Sequence, residues 1–513
     1  MLYYEKSKIA DKDNPVNITY GELLQKSDSD VESWIDELRD WVIDQWDNHG
    51  QPPVIGKNTD DIISNWKKLR DFDVDTFFTE DNKVIRNFNK SATSVNQFFP
   101  TMLKTKISTG VSSENCTSIY DMFKEDSLRD KFKKAMLRSL YKDSMYSFGK
   151  TILVKDIKGD INQHITNINN SDEYGITIIK QKQSKPISKD SELLTFSGTQ
   201  VKELLENGIL TEQNTRTIKD GFDDEFVLKN GQTRYWYYFV RQYNKNQRIF
   251  PTALQIFRLG LGQPAVNFPP LTAKFLYQHF TKHIDSEVVN VYDPSSGWGG
   301  RILGAMSTNR KLHYIGTDPN PDTSGRYQGV ADFYNDNCVE SNDFWGDEKN
   351  TYEVFQDGSE VIGNNPDFQK YEGKLDMVFT SPPYFNREQY SQDENQSFKK
   401  FDAYDDWRDH FLKPTLTTAF TYLKPDRYLL WNIADIKVGS DKYIPLEQDS
   451  IDVVESLGGE YKGIYKMLMT RMMGIDASQV KNSVEIDGTY YKYEPILILS
   501  CSNGIYLSLP TLI

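Results

Sequence analysis

The sequence predicts an α/β protein: a doubly wound, mostly parallel sheet in the second half, preceded by a mixed, helix-rich N-terminal region. Three observations lead there. After about residue 250, short β-rich runs end in small, acidic or proline-containing turns, in the order VVNVYDPSSGWGG, LHYIGTDPNP, TYEVFQDGSE, LDMVFTSPPY and RYLLWNIAD. Helical text separates these runs, as parallel strands of a three-layer domain require. Before residue 250, helical stretches such as SIYDMFKEDSLRDKFKKAMLRSLY alternate with Asn- and Ser-rich passages such as NINNSDEYG and KQKQSKPISKDSE.

The 513 residues, 38% hydrophobic and 13% aromatic, can build at least two cores. Two regions are expected: 1–250, a helical and mixed region divisible into two subdomains, and 251–513, a catalytic domain. The clearest N-terminal element is an amphipathic helix over 29–48. Ser29 and Glu32 have capping-box spacing, Val31, Trp34, Ile35, Leu38, Trp41, Val42 and Trp46 recur at helical spacing, and Gly50, Pro52 and Pro53 end it. Its other face, with Asp30, Glu32, Asp36, Glu37, Asp40 and Asp44, reads as solvated.

No stretch of eighteen apolar residues occurs, and the start lacks a signal-peptide layout. Cys116, Cys338 and Cys501 are far apart with no histidine at metal-ligand spacing, so neither a disulfide framework nor a zinc site is indicated. The expectation is a cytoplasmic protein of a bacterial or phage-infected cell, without a membrane partner. A net charge of −14 means that contact with nucleic acid needs local basic surfaces. Candidates are Lys131, Lys133, Lys134, Arg138 and Lys142; Lys180, Lys182, Lys185 and Lys189; and Arg234, Arg241, Lys245 and Arg248. The last group is interleaved with Tyr235, Trp236, Tyr237 and Tyr238, which read first as an ordinary half-buried strand and second as a base-stacking surface.

Chemistry concentrates in the second half. The run Val288–Tyr292 delivers Asp293 into a turn containing Ser295, Gly297, Trp298, Gly299 and Gly300, and a helix starts at Arg301. Asp318 ends the next run, 25 residues on, where a carboxylate accepts ribose hydroxyls in a doubly wound fold. Asp357 ends the third, placed to accept from an adenine amino group. Neither GxGxxG at the first turn nor GxxxxGK[ST] anywhere is present, so phosphate-cradling readings fail. A ligand with ribose and adenine but no phosphates fits, and S-adenosylmethionine is such a ligand.

In LDMVFTSPPY, Ser381, Pro382, Pro383 and Tyr384 leave the strand directly. Two prolines remove two N–H donors and leave carbonyls that only accept, which suits a site holding an amino group. Accepting the amino protons on Ser381 and a proline carbonyl would favour a pyramidal nitrogen able to attack a methyl group in line, with Tyr384 stacked on the base. The base must then be rotated out of the duplex.

Together these motifs resemble the amino-methyltransferase family of DNA modification enzymes, which are Rossmann-like class I S-adenosylmethionine-dependent methyltransferases. In that family Asp, Asn or Ser precedes Pro-Pro and an aromatic residue. Asp293, Gly297 and Gly299 match the family's cofactor loop DPFxGxGT, Asp318 its ribose acid, and Ser381 to Tyr384 its catalytic tetrad. Ser295, Trp298 and Gly300 depart from the loop pattern. Asn267-Phe268-Pro269-Pro270 resembles the family's extra cofactor segment, with Phe268 and Pro269 as candidate cofactor contacts, and Tyr493-Glu494-Pro495-Ile496-Leu497 resembles its closing strand. The resemblance covers about 250–505.

It implies methyl transfer to a flipped base of double-stranded DNA, with Ser381 favouring N4 of cytosine over N6 of adenine. An RNA base methyltransferase and a non-catalytic DNA- or partner-binding subunit are the alternatives. A cognate nuclease or another modification-system subunit is a candidate partner. C5-cytosine methylation lacks its nucleophile, because Asn115, Asn337 and Ser500 precede the three cysteines where that chemistry usually has proline. With 80 residues between Gly300 and Ser381 and sixteen after Leu497, a large recognition domain fits neither place. Recognition or partner binding is therefore expected in 1–250, with Phe385 to about Lys413, including Arg387, Lys399 and Lys400, as a substrate loop.

Overall fold

The computed structural model describes residues 3–4, 8–11, 13–53, 56–86, 92–107, 116–138, 150–151, 161–183, 206, 225–227, 231, 233–250, 261–339, 349–385, 387–390, 393–438, 442–471 and 481–501. Contacts divide the chain into one unit of Met1–Glu5, Gly56–Ile119 and Gln263–Ile513, and a second of Lys6–Ile55 and Tyr120–Gly262. The boundary expected at 250 thus lies near the junction at 262/263. Residues 56–119, by contrast, pack with the C-terminal half, a departure from the expected 1–250 region.

Seven strands organise the larger unit: β1 (Val289–Asp293), β2 (Leu312–Thr317), β3 (Thr351–Phe355), β4 (Leu375–Thr380), β5 (Leu423–Asn432), β6 (Gly459–Arg471) and β7 (Thr489–Cys501). Their order is β3-β2-β1-β4-β5-β7-β6. The first five are mutually parallel, and β7 runs antiparallel between β5 and β6. From β1 the chain winds outward through β2 and β3, then returns to β4 on the other side, so the switch point lies between β1 and β4. Ligands of open α/β sheets bind at such a point, beyond the carboxyl ends of the strands. The architecture is the α/β class I methyltransferase fold.

Burial follows from the sequence. Every residue of β4 is buried, as a central strand covered on both faces must be, and its run of Leu, Met, Val and Phe supplies the apolar surface. Helices α1 (Pro270–Thr281), α2 (Gly300–Met306) and α3 (Arg326–Asn337) follow the cofactor-side segments. Two more, α4 (Lys413–Thr421) and α5 (Leu446–Ser456), lie in the second half of the domain. Of these, α1 and α2 meet at Gly304, where an added Cβ would lie 2.5 Å from Ala273 Cβ and 2.8 Å from the Pro270 carbonyl oxygen.

Residues 56–119 join this unit for identifiable reasons. Val84–Ile85 pairs in parallel with β6, and Phe78–Thr79 extends the sheet beyond it. Trp66, fully buried, donates its indole N–H to Ser94 Oγ at 2.9 Å and packs on Phe98. The buried Lys274 ammonium of α1 donates to the carbonyls of Leu69, Arg70 and Phe72, which end the helix Thr59–Asp71.

In the second unit, the amphipathic helix is Asp28–His49, with Val31, Trp34, Ile35, Leu38, Val42 and Trp46 buried and Trp41 only partly so. Ser27, not Ser29, caps it, accepting from Asp30 N, and Gly50 ends it at φ 65°. The acidic face is not wholly solvated: Asp36 pairs with Arg129 and Lys133, which removes Lys133 from the free basic surface. The helical stretch SIYDMFKEDSLRDKFKKAMLRSLY holds Ile119–Lys124, a 3₁₀ turn Asp126–Leu128, and Arg129–Arg138, with residues 139–141 outside the described residues. RYWYYFVRQYN falls in the strand Thr233–Asn244, antiparallel to Tyr174–Gln183, while Lys142, Lys185 and Lys189 lie outside the described residues. No helix among the described residues is long and apolar enough to cross a membrane.

Gly304 gives a test in which propensity and packing oppose one another. Alanine is favoured over glycine in a helix by about 1 kcal/mol, yet the added Cβ must push α1 and α2 apart, at about 1–3 kcal/mol. The expected outcome for Gly304→Ala is a lowered thermal midpoint; a raised one would show that the helices separate freely.

Candidate active site

The first turn is built on a buried carboxylate. Asp293, fully buried at the end of β1, accepts at Oδ1 from Thr380 Oγ1 (2.7 Å) and Ser295 N (3.2 Å), and at Oδ2 from Arg301 Nε (2.8 Å) and Tyr314 OH (2.7 Å). Arg301, 5% exposed, also donates to the Ser295 carbonyl. The neighbouring charge of Asp293 raises the Arg301 pKa despite the burial that opposes it. The ends of β1 and β4, the middle of β2 and the start of α2 are therefore tied to one side chain.

The glycines that follow have specific reasons. Gly299 caps α2 at φ 75°, and an added Cβ would sit 2.5 Å from the Phe99 ring. Gly300, where the family pattern has threonine, would place a Cβ 2.1 Å from the Phe268 carbonyl oxygen. Asn267 Nδ2 donates to the Trp298 carbonyl at 2.7 Å, so the Asn267-Phe268-Pro269 segment lies directly against the loop. The Trp298 ring, in place of a small residue, packs on Tyr390 at 5.3 Å.

Asp318 accepts from Gly297 N (2.9 Å), Asn320 N (3.0 Å) and Thr323 Oγ1 (3.3 Å). Burial raises its pKa against these stabilising bonds. It faces a cavity of about 570 Å³, within the range of small-molecule sites. Of the expected residues, Phe268, Pro269, Ser295, Gly297, Asp318, Ser381, Pro383 and Tyr384 line this cavity.

Asp293, Gly299, Pro382 and Asp357 do not line it. Asp293 and Gly299 shape the turn from behind. Asp357 folds back to accept from Gly358 N at 2.8 Å, and the wall there is made by Ser359 and Glu360. Glu360 is paired with Lys400, and Lys399 with Glu394, so neither lysine of the expected substrate loop is an isolated cation.

Beyond the tetrad the chain is strained: Phe385 sits at φ 45°, buried, with its ring against Tyr404 and Trp407. A non-glycine residue there costs about 1–3 kcal/mol and persists only where surrounding packing fixes it. A π-helical turn, Arg408–Leu412, accompanies Phe411 into the cavity wall. Tyr384 donates its hydroxyl to Glu494 Oε1 at 2.6 Å, and Tyr390 donates to Glu388. Both carboxyls line the cavity, and burial pushes both pKa values up, with Glu494 adding a repulsive contribution at Glu388.

No protein-family model matches the chain, and no curated protein matches it significantly. Among solved structures, it is similar to a putative class I S-adenosylmethionine-dependent methyltransferase of Listeria monocytogenes, with 16% identity over 48% of this chain and 62% of that one, TM-score 0.27. It is similar to a putative DNA modification methylase of Thermus thermophilus, with 20% identity over 29% and 52%, TM-score 0.19. TrmN of Thermus thermophilus aligns at 13% identity over 53% and 57%, TM-score 0.25. The aligned part is thus less than two thirds of the Listeria chain. Likeness at this level does not bear on the chemistry, for which the strand order and the site geometry are the guide.

The residues missed in the sequence are Glu388, Gln396, Asn432 and Glu494. Glu494 was visible in the closing-strand motif, but nothing in its spacing pointed to Tyr384. Gln396 and Asn432, 4% and 1% exposed, are both among the residues lining the same cavity, and Gln396 Nε2 and Asn432 Oδ1 are buried without a partner among the described residues. Native proteins seldom leave such atoms unpaired, and a ligand or water is their usual partner.

Two outcomes are expected. Asp293→Ala leaves the Arg301 guanidinium buried without its counterion and should cost about 3–5 kcal/mol in denaturant unfolding; an unchanged midpoint would remove Asp293 from this role. The raised pKa values of Glu388 and Glu494 mean that their contribution to stability is complete at acidic pH and is lost as pH rises through the folded values. Glu388→Gln keeps an acceptor for Tyr390 without the charge, so it should raise the thermal midpoint at pH 8 relative to the parent. That gain should vanish below the ordinary carboxylate range, and a gain independent of pH would contradict the assignment.

Proposed function

We propose that this protein transfers a methyl group from S-adenosylmethionine to the exocyclic amino group of a base flipped out of DNA, with N4 of cytosine as the preferred atom. The observation that carries the reading is that Ser381, Pro383 and Tyr384 share one cavity with Ser295, Gly297 and Asp318, beyond the strand ends at the switch point.

The cavity chemistry fits such a cofactor. Asp318, besides accepting from Gly297, Asn320 and Thr323 on its own chain, lines the cavity in which a ribose hydroxyl would sit. Glu388 and Glu494 also line the wall, as do Arg387 and Lys492, while Arg301 is already paired with Asp293. Gln396 Nε2 offers a further unpaired donor. When bound, S-adenosylmethionine supplies an electrophilic methyl group on a positively charged sulfur.

The chain's own residues would do the rest. The exocyclic amine is a poor nucleophile because its lone pair is delocalised into the ring. Ser381 and a proline carbonyl of the tetrad accept its protons and favour the pyramidal form, whose lone pair points out of the ring plane. Tyr384, anchored through Glu494, gives the base a stacking face whose position is set before the base arrives. Phe268, Trp298 and Tyr390 exclude water from one side of the cavity. The second unit, with its antiparallel strand pair Tyr174–Gln183 and Thr233–Asn244, is the proposed location of DNA recognition or of contact with a modification-system partner.

The test is mass spectrometry of nucleosides from DNA incubated with the protein and S-adenosylmethionine. N4-methylcytosine is expected, reduced about ten- to a hundredfold by Tyr384→Ala, as loss of one base-stacking contact implies. N6-methyladenine would keep the mechanism and replace the base. Methylated RNA with unmodified DNA would replace the substrate, and no methylated base in either would defeat the reading.

A further inference from the structure

We propose that Asn432 is a second acceptor for the amino group of the target base, a substrate-positioning residue beside the catalytic tetrad; this rests on the amino-methylation reading above. In the parallel pair of β4 and β5, Thr380 is opposite Trp431, so the next residues, Ser381 and Asn432, leave the two strands side by side. Asn432 lines the same cavity as Ser381 and Tyr384 and is 1% exposed. Its backbone carbonyl accepts from Tyr384 OH at 3.4 Å, which places it against the stacking residue as well.

The orientation of its amide is fixed from behind. Asn432 Nδ2 donates to the Pro495 carbonyl at 2.9 Å, across the antiparallel pair of β5 and β7. The end that remains is Oδ1, which only accepts, and it has no partner among the described residues. Rotating the amide would put two oxygens against each other at Pro495, so the acceptor cannot be exchanged for a donor. A buried acceptor held in this way is costly until a donor reaches it. The donor that chemistry at Ser381 brings next to it is the base's amino group, which has two protons to place. With Ser381 taking one and Asn432 Oδ1 the other, both N–H bonds are held and the lone pair is directed between them. The same arrangement disfavours a base with a carbonyl oxygen at that position, which would face acceptors only.

Three readouts separate this role from a merely structural one. Asn432→Ala should lower kcat by about ten- to a hundredfold while the Kd for S-adenosylmethionine, measured by calorimetry, stays within about twofold. Binding of DNA whose target base lacks the amino group, pyrimidin-2-one for cytosine or purine for adenine, gives the second. The parent should prefer the amino-bearing base, and that preference should shrink in Asn432→Ala by about two- to tenfold, the span of one hydrogen bond. Third, N432D must carry a proton to donate to Pro495, so its activity relative to the parent's at the same pH should rise towards acidic pH. Intact discrimination in Asn432→Ala, or a loss confined to cofactor binding, overturns the proposal. If the parent methylates no base, the functional reading fails and takes this inference with it; if the parent is active and the variants match it, only the inference fails.

Discussion

Everything at the head of the sheet depends on one buried carboxylate. Asp293 is placed by β1, the strand at which the winding of the sheet reverses, and its four hydrogen bonds collect Thr380 from β4, Tyr314 from β2, Arg301 from α2 and the backbone of its own turn. A charge with no solvent exposure is tolerable only if it is paired and its lone pairs are filled, and here both conditions hold. The consequence is geometric: the strands that carry the first turn, Asp318 and Ser381–Tyr384 cannot move apart without breaking a bond to Asp293. The Ser296 N–H to Thr317 and Thr317 Oγ1 to Pro294 bonds repeat the stitch one residue further out.

The same economy explains why residues 56–119 pack with the seven-stranded unit. A loop that brings backbone close to a ligand has little side-chain mass of its own, so something must fill the space behind it. Phe99 takes the position a Cβ on Gly299 would need, and Asn96 and Trp298 share Asn267 between them. Ile107 enters the cavity wall, and Lys106–Ile107 pairs with Glu388–Gln389, which holds Glu388 beside Tyr390. A segment without any recognisable motif thereby fixes the chain just beyond the tetrad.

Legibility in the sequence tracked locality. Strand runs ending in turns are local patterns, and β1 to β4 fall on the runs that were read. Ser381, Pro383 and Tyr384 reach the cavity because a strand exit carries its next residues to the ligand side whatever else the protein does. What escaped depends on pairings distant in the chain. Asp293 ends β1, and Asp357 follows the end of β3 by two residues. One is buried because Arg301 and Tyr314 close on it, while the other turns back on its own backbone, and no spacing rule separates them. The helix cap shows the limit at short range: Ser27 and Ser29 both precede the apolar stripe, and Asp30 at the third helical position decides for Ser27.

The closing strand is the least local element of all and governs the finest geometry. Consecutive residues of β7, Glu494 and Pro495, hold respectively the hydroxyl of Tyr384 and the amide of Asn432. Proline is suited to its position, since it has no N–H to compete for the Asn432 oxygen and its carbonyl remains free to accept. The antiparallel placement of β7 between β5 and β6 is what brings this dipeptide alongside the ends of β4 and β5. A parallel strand there would present its residues with the opposite polarity and a different register of carbonyls. The reversed strand thus does more than complete the sheet: it sets the orientation of two side chains on which handling of a planar amino group at this site would depend.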